Sequence, residues 1–173
     1  MAELWNLNSL ISGRPGLTPA EAASLMEAAA VCFDVNQQTS PVPITLTGEF
    51  AGTPALAFPE PTSQTRRTHA DLPRAVERGA CAVAALVCER QLGLSIVEQS
   101  RRGKGFDYWL GHNDDALFQW KARLEVSGIL KGNTGQVQKR LREKLNRLTG
   151  DSPWSTWVVV VEFSQPGAHT VRR

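Results

Sequence analysis

The chain has no CxxC pair, and its three cysteines are an odd number. That excludes the common zinc-finger spacings and a disulfide framework. Cys32, Cys81 and Cys88 lie in apolar surroundings and read as small core residues of a reducing compartment. No apolar run, Trp157–Val161 included, approaches the roughly 20 residues of a membrane span. No basic segment precedes the apolar residues of MAELWNLNSLISGRP, so a signal peptide is not expected and a cytoplasmic location is. There is no glycine-rich phosphate loop, no nucleophile elbow and no internal repeat. Basic residues are nearly missing from the first 60 positions, where Arg14 faces six acidic residues for a net charge of −5.

What is present begins with that asymmetry. Residues 61–173 hold 18 basic and 11 acidic residues, a net +7, so the chain's overall +2 hides two different surfaces. The length of 173 residues suits one domain with an adequate core, and 42% hydrophobic residues exclude a wholly disordered chain.

The turn-rich stretch 13–19 leads into a helix. Thr18 supplies the cap, Pro19 the first helical position and Glu21 the capping-box partner. The helix should reach Cys32 or Phe33, and its alanines let it pack closely on a neighbour. Residues 44–47 with Phe50 read as a strand, and 56–58 as a second after the turn at Gly52-Thr53-Pro54. A polar loop, Pro59 to His69, follows and marks the change of charge sign. We therefore divide the chain into an acidic N-terminal extension, residues 1–68, and a core, residues 69–173.

The core is more regular. Asp71 before Pro73 opens a helix whose apolar positions are Val76, Ala80, Val83, Ala84 and Val87, ended by Gly93. Leu94, Ile96 and Val97 read as a strand, Arg101–Gly105 as a basic turn, and Phe106–Leu110 as a second strand. Phe118–Ser127 alternates apolar Ala122, Leu124 and Val126 with polar Arg123, Glu125 and Ser127, a third strand. Asn133 and Gln136 offer a capping box for a basic helix over 135–148, with Val137, Leu141, Leu145 and Leu148 as its apolar stripe. Trp157–Phe163 reads as a strand buried on both faces. The order helix-strand-strand-strand-helix-strand predicts an α/β fold, a mixed sheet flanked by helices, with an N-terminal helix-plus-strand extension.

Asp107 in the second predicted strand and Glu125 in the third would converge if those strands are neighbours, with Glu125 and Ser127 on one face. Two carboxylates so placed suit Mg²⁺, a hard cation that takes oxygen ligands. On this order and these carboxylates, residues 71–165 resemble the PD-(D/E)XK nuclease superfamily, the restriction-endonuclease-like fold. The resemblance implies a nuclease that hydrolyses phosphodiester bonds with Mg²⁺ or Mn²⁺, on DNA in preference to RNA. Asp107 and Glu125 match the metal-binding carboxylates, the carbonyl of Val126 a further ligand, and Glu77 an extra acidic position on the first helix. Ser127 stands where the motif has lysine, and Gln136 and Lys139 on the following helix are the substitutes the resemblance suggests. A stand-alone member would fit phage defence or mobile-element biology.

Each residue also has a plainer reading. Asp107 can hydrogen-bond a turn, Glu125 can pair with a surface cation, Gln136 can complete the capping box, Lys139 can be solvated, and Glu77 can answer the helix dipole. Ser127 can simply end its strand. Asp114 and Asp115 read as solvent-facing, and His69, His112 and His169 lack metal-ligand spacing. Arg101, Arg102, Lys104 and Arg140 are candidate nucleic-acid contacts, which would add salt-dependent affinity without sequence specificity. The alternative function is a catalytically inactive subunit of the same fold, binding nucleic acid or a protein partner through its acidic N-terminal extension.

Overall fold

A computed structural model describes residues 1–114, 119–148 and 150–173. Phe118, the expected start of the third core strand, and Asp115 lie outside the described residues.

The helices form where capping and apolar spacing coincide. Helix α1 spans Pro19–Val35, with the Thr18 hydroxyl accepting from the Glu21 amide. Helix α3 spans Leu72–Leu92 and stops at Gly93, whose φ of +66° is the left-handed closure that favours glycine. Helix α4 spans Thr134–Arg147 and starts with a reciprocal capping box between Asn133 and Gln136. The stretch expected to be loop holds a short helix, α2, Ser63–Thr68, capped by Thr62. Its polar sequence has no apolar stripe, so periodicity cannot reveal it.

Six strands form the main sheet, in the order β3-β9-β8-β7-β6-β5. They are β3 (Thr45–Gly48), β5 (Ser95–Gln99), β6 (Tyr108–Gly111), β7 (Ala122–Ile129), β8 (Thr156–Glu162) and β9 (Gly167–Arg172). Strands β5, β6 and β7 pair antiparallel, and β8 lies parallel to β7, reached through α4. The sheet is thus mixed, with helices on both faces. A small second sheet joins β1 (Leu4–Asn6), β4 (Ala55–Ala57) and β2 (Val42–Pro43). Strands β1 and β9 are short or weakly patterned, and nothing in their sequence announces them.

Strand β8 is buried at every position. Val159 and Val161 face the main core under α1 and α3, whereas Val158 and Val160 face a smaller cluster with Val137, Leu141 and Leu148 on or beside α4. Contact between α1 and α3 is close because alanine and glycine line it. A Cβ on Gly79 would stand 2.7 Å from the backbone of Ala29. Phe33 of α1 stacks on Phe58 and meets Phe163 edge-on, with ring centroids 4.6 and 4.9 Å away. Residues of the first 68 positions, Trp5, Phe33 and Leu56 among them, share one core with Leu124 and Val159 of the sheet. Strand β3 also pairs parallel with β9 at the sheet's edge.

Two boundaries bear on the site. Strand β6 begins at Tyr108, so Asp107 precedes the strand rather than lying within it. Strand β7 extends to Ile129, two residues beyond the expected end at Ser127. A Cβ on Gly128 would meet the Val76 carbonyl at 2.5 Å, so glycine here lets α3 cross close to the strand.

Candidate active site

Register brings the two carboxylates together. Tyr108 pairs with Leu124, and the Asp107 amide donates to the Leu124 carbonyl at 2.9 Å. Asp107 therefore stands opposite Glu125. Past this point β6 no longer offers backbone partners, and the Asp107 carboxylate takes over: its Oδ2 accepts from the Val126 amide at 2.7 Å. Along a strand, alternate residues direct both their amide and their carbonyl to the same neighbour. The Val126 carbonyl thus points to the same open side as its amide, toward Asp107.

Tyr108 turns toward α3, where it bonds Cys81, so Asp107 takes the opposite face with Glu125 and Ser127. Helix α4 covers that face. Lys144 Nζ donates to Glu125 Oε1 at 2.5 Å, and Arg140 Nη1 donates to Ser127 Oγ at 2.7 Å. Glu125 is only 7% exposed. Burial, opposed by Lys144 and aided by the neighbouring Asp107 carboxylate through charge repulsion and a hydrogen bond, raises its pKa to about 7.

A cavity of about 560 Å³ opens beside this cluster, lined by Glu77, Cys81, Asp107, Ser127, Arg140 and Lys144 among others. A second, of about 350 Å³, is lined by Asp107 and Glu125 together with Arg101, Arg102 and Arg147. Asp107 lines both.

The structure sorts the candidate residues. Asp107, Glu125, Val126 and Ser127 come together, and Glu77 reaches the same cavity from α3. Among the described residues, however, no three His, Cys, Asp or Glu side chains group as one ion's ligands, so Glu77 does not complete a three-carboxylate set. Gln136 is used by the capping box, its Oε1 accepting from the Asn133 amide. Lys139 is 73% exposed and pairs with Glu143. Neither lines either cavity. Lys144, which the sequence analysis does not single out, is the cation bonded to Glu125. Its signal was legible: Lys144 lies seven residues after Val137 and three after Leu141, on the apolar side of α4, where a lone cation calls for a buried partner. Arg140 also contacts Gly128 and Glu143, and Arg101 and Lys104 lie in the loop above the sheet's edge.

Other candidates stand apart. His112 and Asp114 are exposed. His69 pairs with Glu27 and His169 with Thr47. Cys32 and Cys88 are buried and Cys81 half-buried, and burial lifts all three thiols to about 12, which leaves no thiolate for catalysis. No described helix is long and apolar enough to cross a membrane.

The donor set fits a hard divalent cation. Two close carboxylates, one with a pKa raised by burial and by the other, could be relieved by a cation between them, and the Val126 carbonyl could supply a third oxygen. Comparison with known protein families, characterised proteins and solved structures finds no match to this chain.

Proposed function

We propose that the protein is a metal-dependent phosphodiesterase of the PD-(D/E)XK type, acting on nucleic acid. The observation that carries this reading is the convergence of Asp107 and Glu125 at the end of β6, with the ammonium of Lys144 bonded to Glu125. Asp107, Glu125 and the Val126 carbonyl would hold Mg²⁺ or Mn²⁺. When bound, the ion supplies neutralisation of phosphate charge and a lowered pKa for water.

The chain's own residues do the rest. The Val126 amide fixes the Asp107 carboxylate. Lys144 orients Glu125 and presents its remaining N–H bonds toward the cavity, where they can hold the attacking water or a phosphate oxygen. Hydrolysis then forms a bond from water oxygen to phosphorus and breaks the ester bond to the leaving oxygen, which takes up a proton. Arg101, Arg102 and Arg147, which line the second cavity, provide positive charge for the flanking phosphates. Ser127 in the motif's lysine position serves as an anchor for Arg140.

The test is cleavage of single- and double-stranded DNA and RNA by the purified protein with Mg²⁺ or Mn²⁺. Asp107→Ala and Glu125→Ala should each abolish it. Cleavage that survives either substitution would sink the reading, and binding without cleavage in the intact protein would favour the inactive subunit.

A further inference from the structure

Next to the carboxylates, on the same face of the sheet, lies a cavity that phosphodiester chemistry leaves unused. Its volume is about 430 Å³, within the usual range of a small-ligand site. Trp109 of β6 pairs with Arg123 of β7, one step along from Asp107 and Glu125. Two residues along a strand span about 7 Å, so the cavity adjoins the carboxylate site.

Three of the chain's five tryptophans gather here. Trp109 and Trp120 stack with centroids 4.0 Å apart and planes within 6°, and Trp154 meets both edge-on. Trp120 is 41% exposed, an unusual state for so large an apolar ring. Its indole N–H donates to Glu98 Oε2 at 3.1 Å, which holds the ring's orientation. Arg123 lies 5.3 Å from the centre of the Phe106 ring, and its buried Nε has no hydrogen-bond partner among the described residues. Arg101 and Lys104 complete the wall, and Arg101 also lines the cavity that holds Asp107 and Glu125.

An exposed aromatic ring flanked by cations matches the two halves of a nucleotide, a flat base and an anionic phosphate. A purely apolar partner would desolvate Arg101, Lys104 and Arg123 without an anion to answer them. Bases inside a duplex present edges, not faces, so only an unpaired base can stack on Trp120.

We propose that this cavity binds an unpaired base of a single-stranded nucleic acid and so seats the strand beside the phosphodiester site. The proposal rests on the phosphodiesterase reading for what happens next to the base, but base binding itself needs no cleavage.

The experiment uses the full chain in EDTA, with oligo-dT, oligo-U and a DNA duplex of equal length, followed by anisotropy. A strand carrying 2-aminopurine reports stacking directly through quenching of its fluorescence. Wild-type protein should bind single strands and quench 2-aminopurine. Trp120→Ala should weaken single-strand binding roughly tenfold and remove the quenching, leave duplex binding within about twofold, and Trp120→Phe should restore most of the loss. Preference for oligo-dT or oligo-U shows which polymer is favoured and supports the proposal either way. Wild-type protein that fails to quench 2-aminopurine overturns it, whether or not the variants fold. So does an equal loss of single-strand and duplex affinity in Trp120→Ala. Quenching in EDTA with no cleavage once Mg²⁺ or Mn²⁺ is supplied would sink the phosphodiesterase reading alone, and metal-dependent cleavage without quenching would sink this one alone.

Discussion

Replacing Lys144 by Met removes one partner of a buried ion pair and keeps the length of the side chain. Glu125 then loses both the hydrogen bond and the charge that hold its pKa down, while burial and Asp107 still push it up. Its folded pKa must rise above the present value of about 7. A carboxylate whose folded pKa exceeds its unfolded one binds more protons when folded, so stability falls as pH rises from the unfolded value toward the folded one. In the wild type that decline is complete near pH 7. In Lys144→Met it continues, at up to about 1.4 kcal/mol per pH unit. The variant should therefore be destabilised little at pH 5, where Glu125 is protonated in both proteins. At pH 8 it should be destabilised by on the order of 1–2 kcal/mol more, a cost limited because the carboxyl can take a proton rather than stay charged and unpaired. Urea unfolding of both proteins at pH 5, 6, 7 and 8 measures this, with the double variant Lys144→Met, Glu125→Gln expected to lose the pH dependence. A penalty of equal size at every pH would refute the assignment of Glu125 as the group that Lys144 stabilises. The same variant tests the chemistry: metal-dependent cleavage should fall by on the order of 100-fold or more, as expected for loss of a positioned charge at the reacting group.

Further outcomes follow from the packing and the surface. Gly79→Ala puts a methyl group against the Ala29 backbone. It should cost about 1–3 kcal/mol and lower the thermal midpoint by several degrees, read by differential scanning fluorimetry. Arg101→Ala and Lys104→Ala should each lower the slope of log affinity against log salt by about 0.7 for a single strand, without changing which sequences are preferred; an unchanged slope would remove these side chains from the phosphate path.

Much of the fold could be read from local pattern. The start of α1 at Thr18 and Pro19, the stop of α3 at Gly93 and the capping box at Asn133 and Gln136 are short-range hydrogen-bond signals, so the sequence carries them directly. The apolar run of β8 and the alternation of β7 likewise betray one strand buried on both faces and one with two different faces. What was illegible lacks such a signal: α2 is polar throughout, and β9 gains its place only by pairing with β8 and β3.

At the site the division is finer. The residue types, an Asp at one strand and a Glu within the next, are visible in the chain, although the sequence reads Asp107 as inside its strand and the structure sets it just before. Which cation meets Glu125 is only half visible: the apolar spacing of α4 puts Lys144 on its buried side, but does not set it against Glu125. Gln136 and Lys139 stand nearer in sequence, but α4 turns Lys139 to solvent and Lys144 onto Glu125. A helix advances about 100° per residue, so five positions decide which side of it a charge occupies, and only the seating of Val137 and Leu141 on β8 fixes that rotation. The tryptophans behave likewise. Trp109, Trp120 and Trp154 are spread over 46 positions of the chain, and only the register of β6 on β7 and the return of the chain to β8 bring them to one wall. Sequence by itself determined the elements and the charged residue types, because those depend on neighbours a few positions away. Tertiary structure alone decided which charges and rings meet, because that depends on pairings between distant segments.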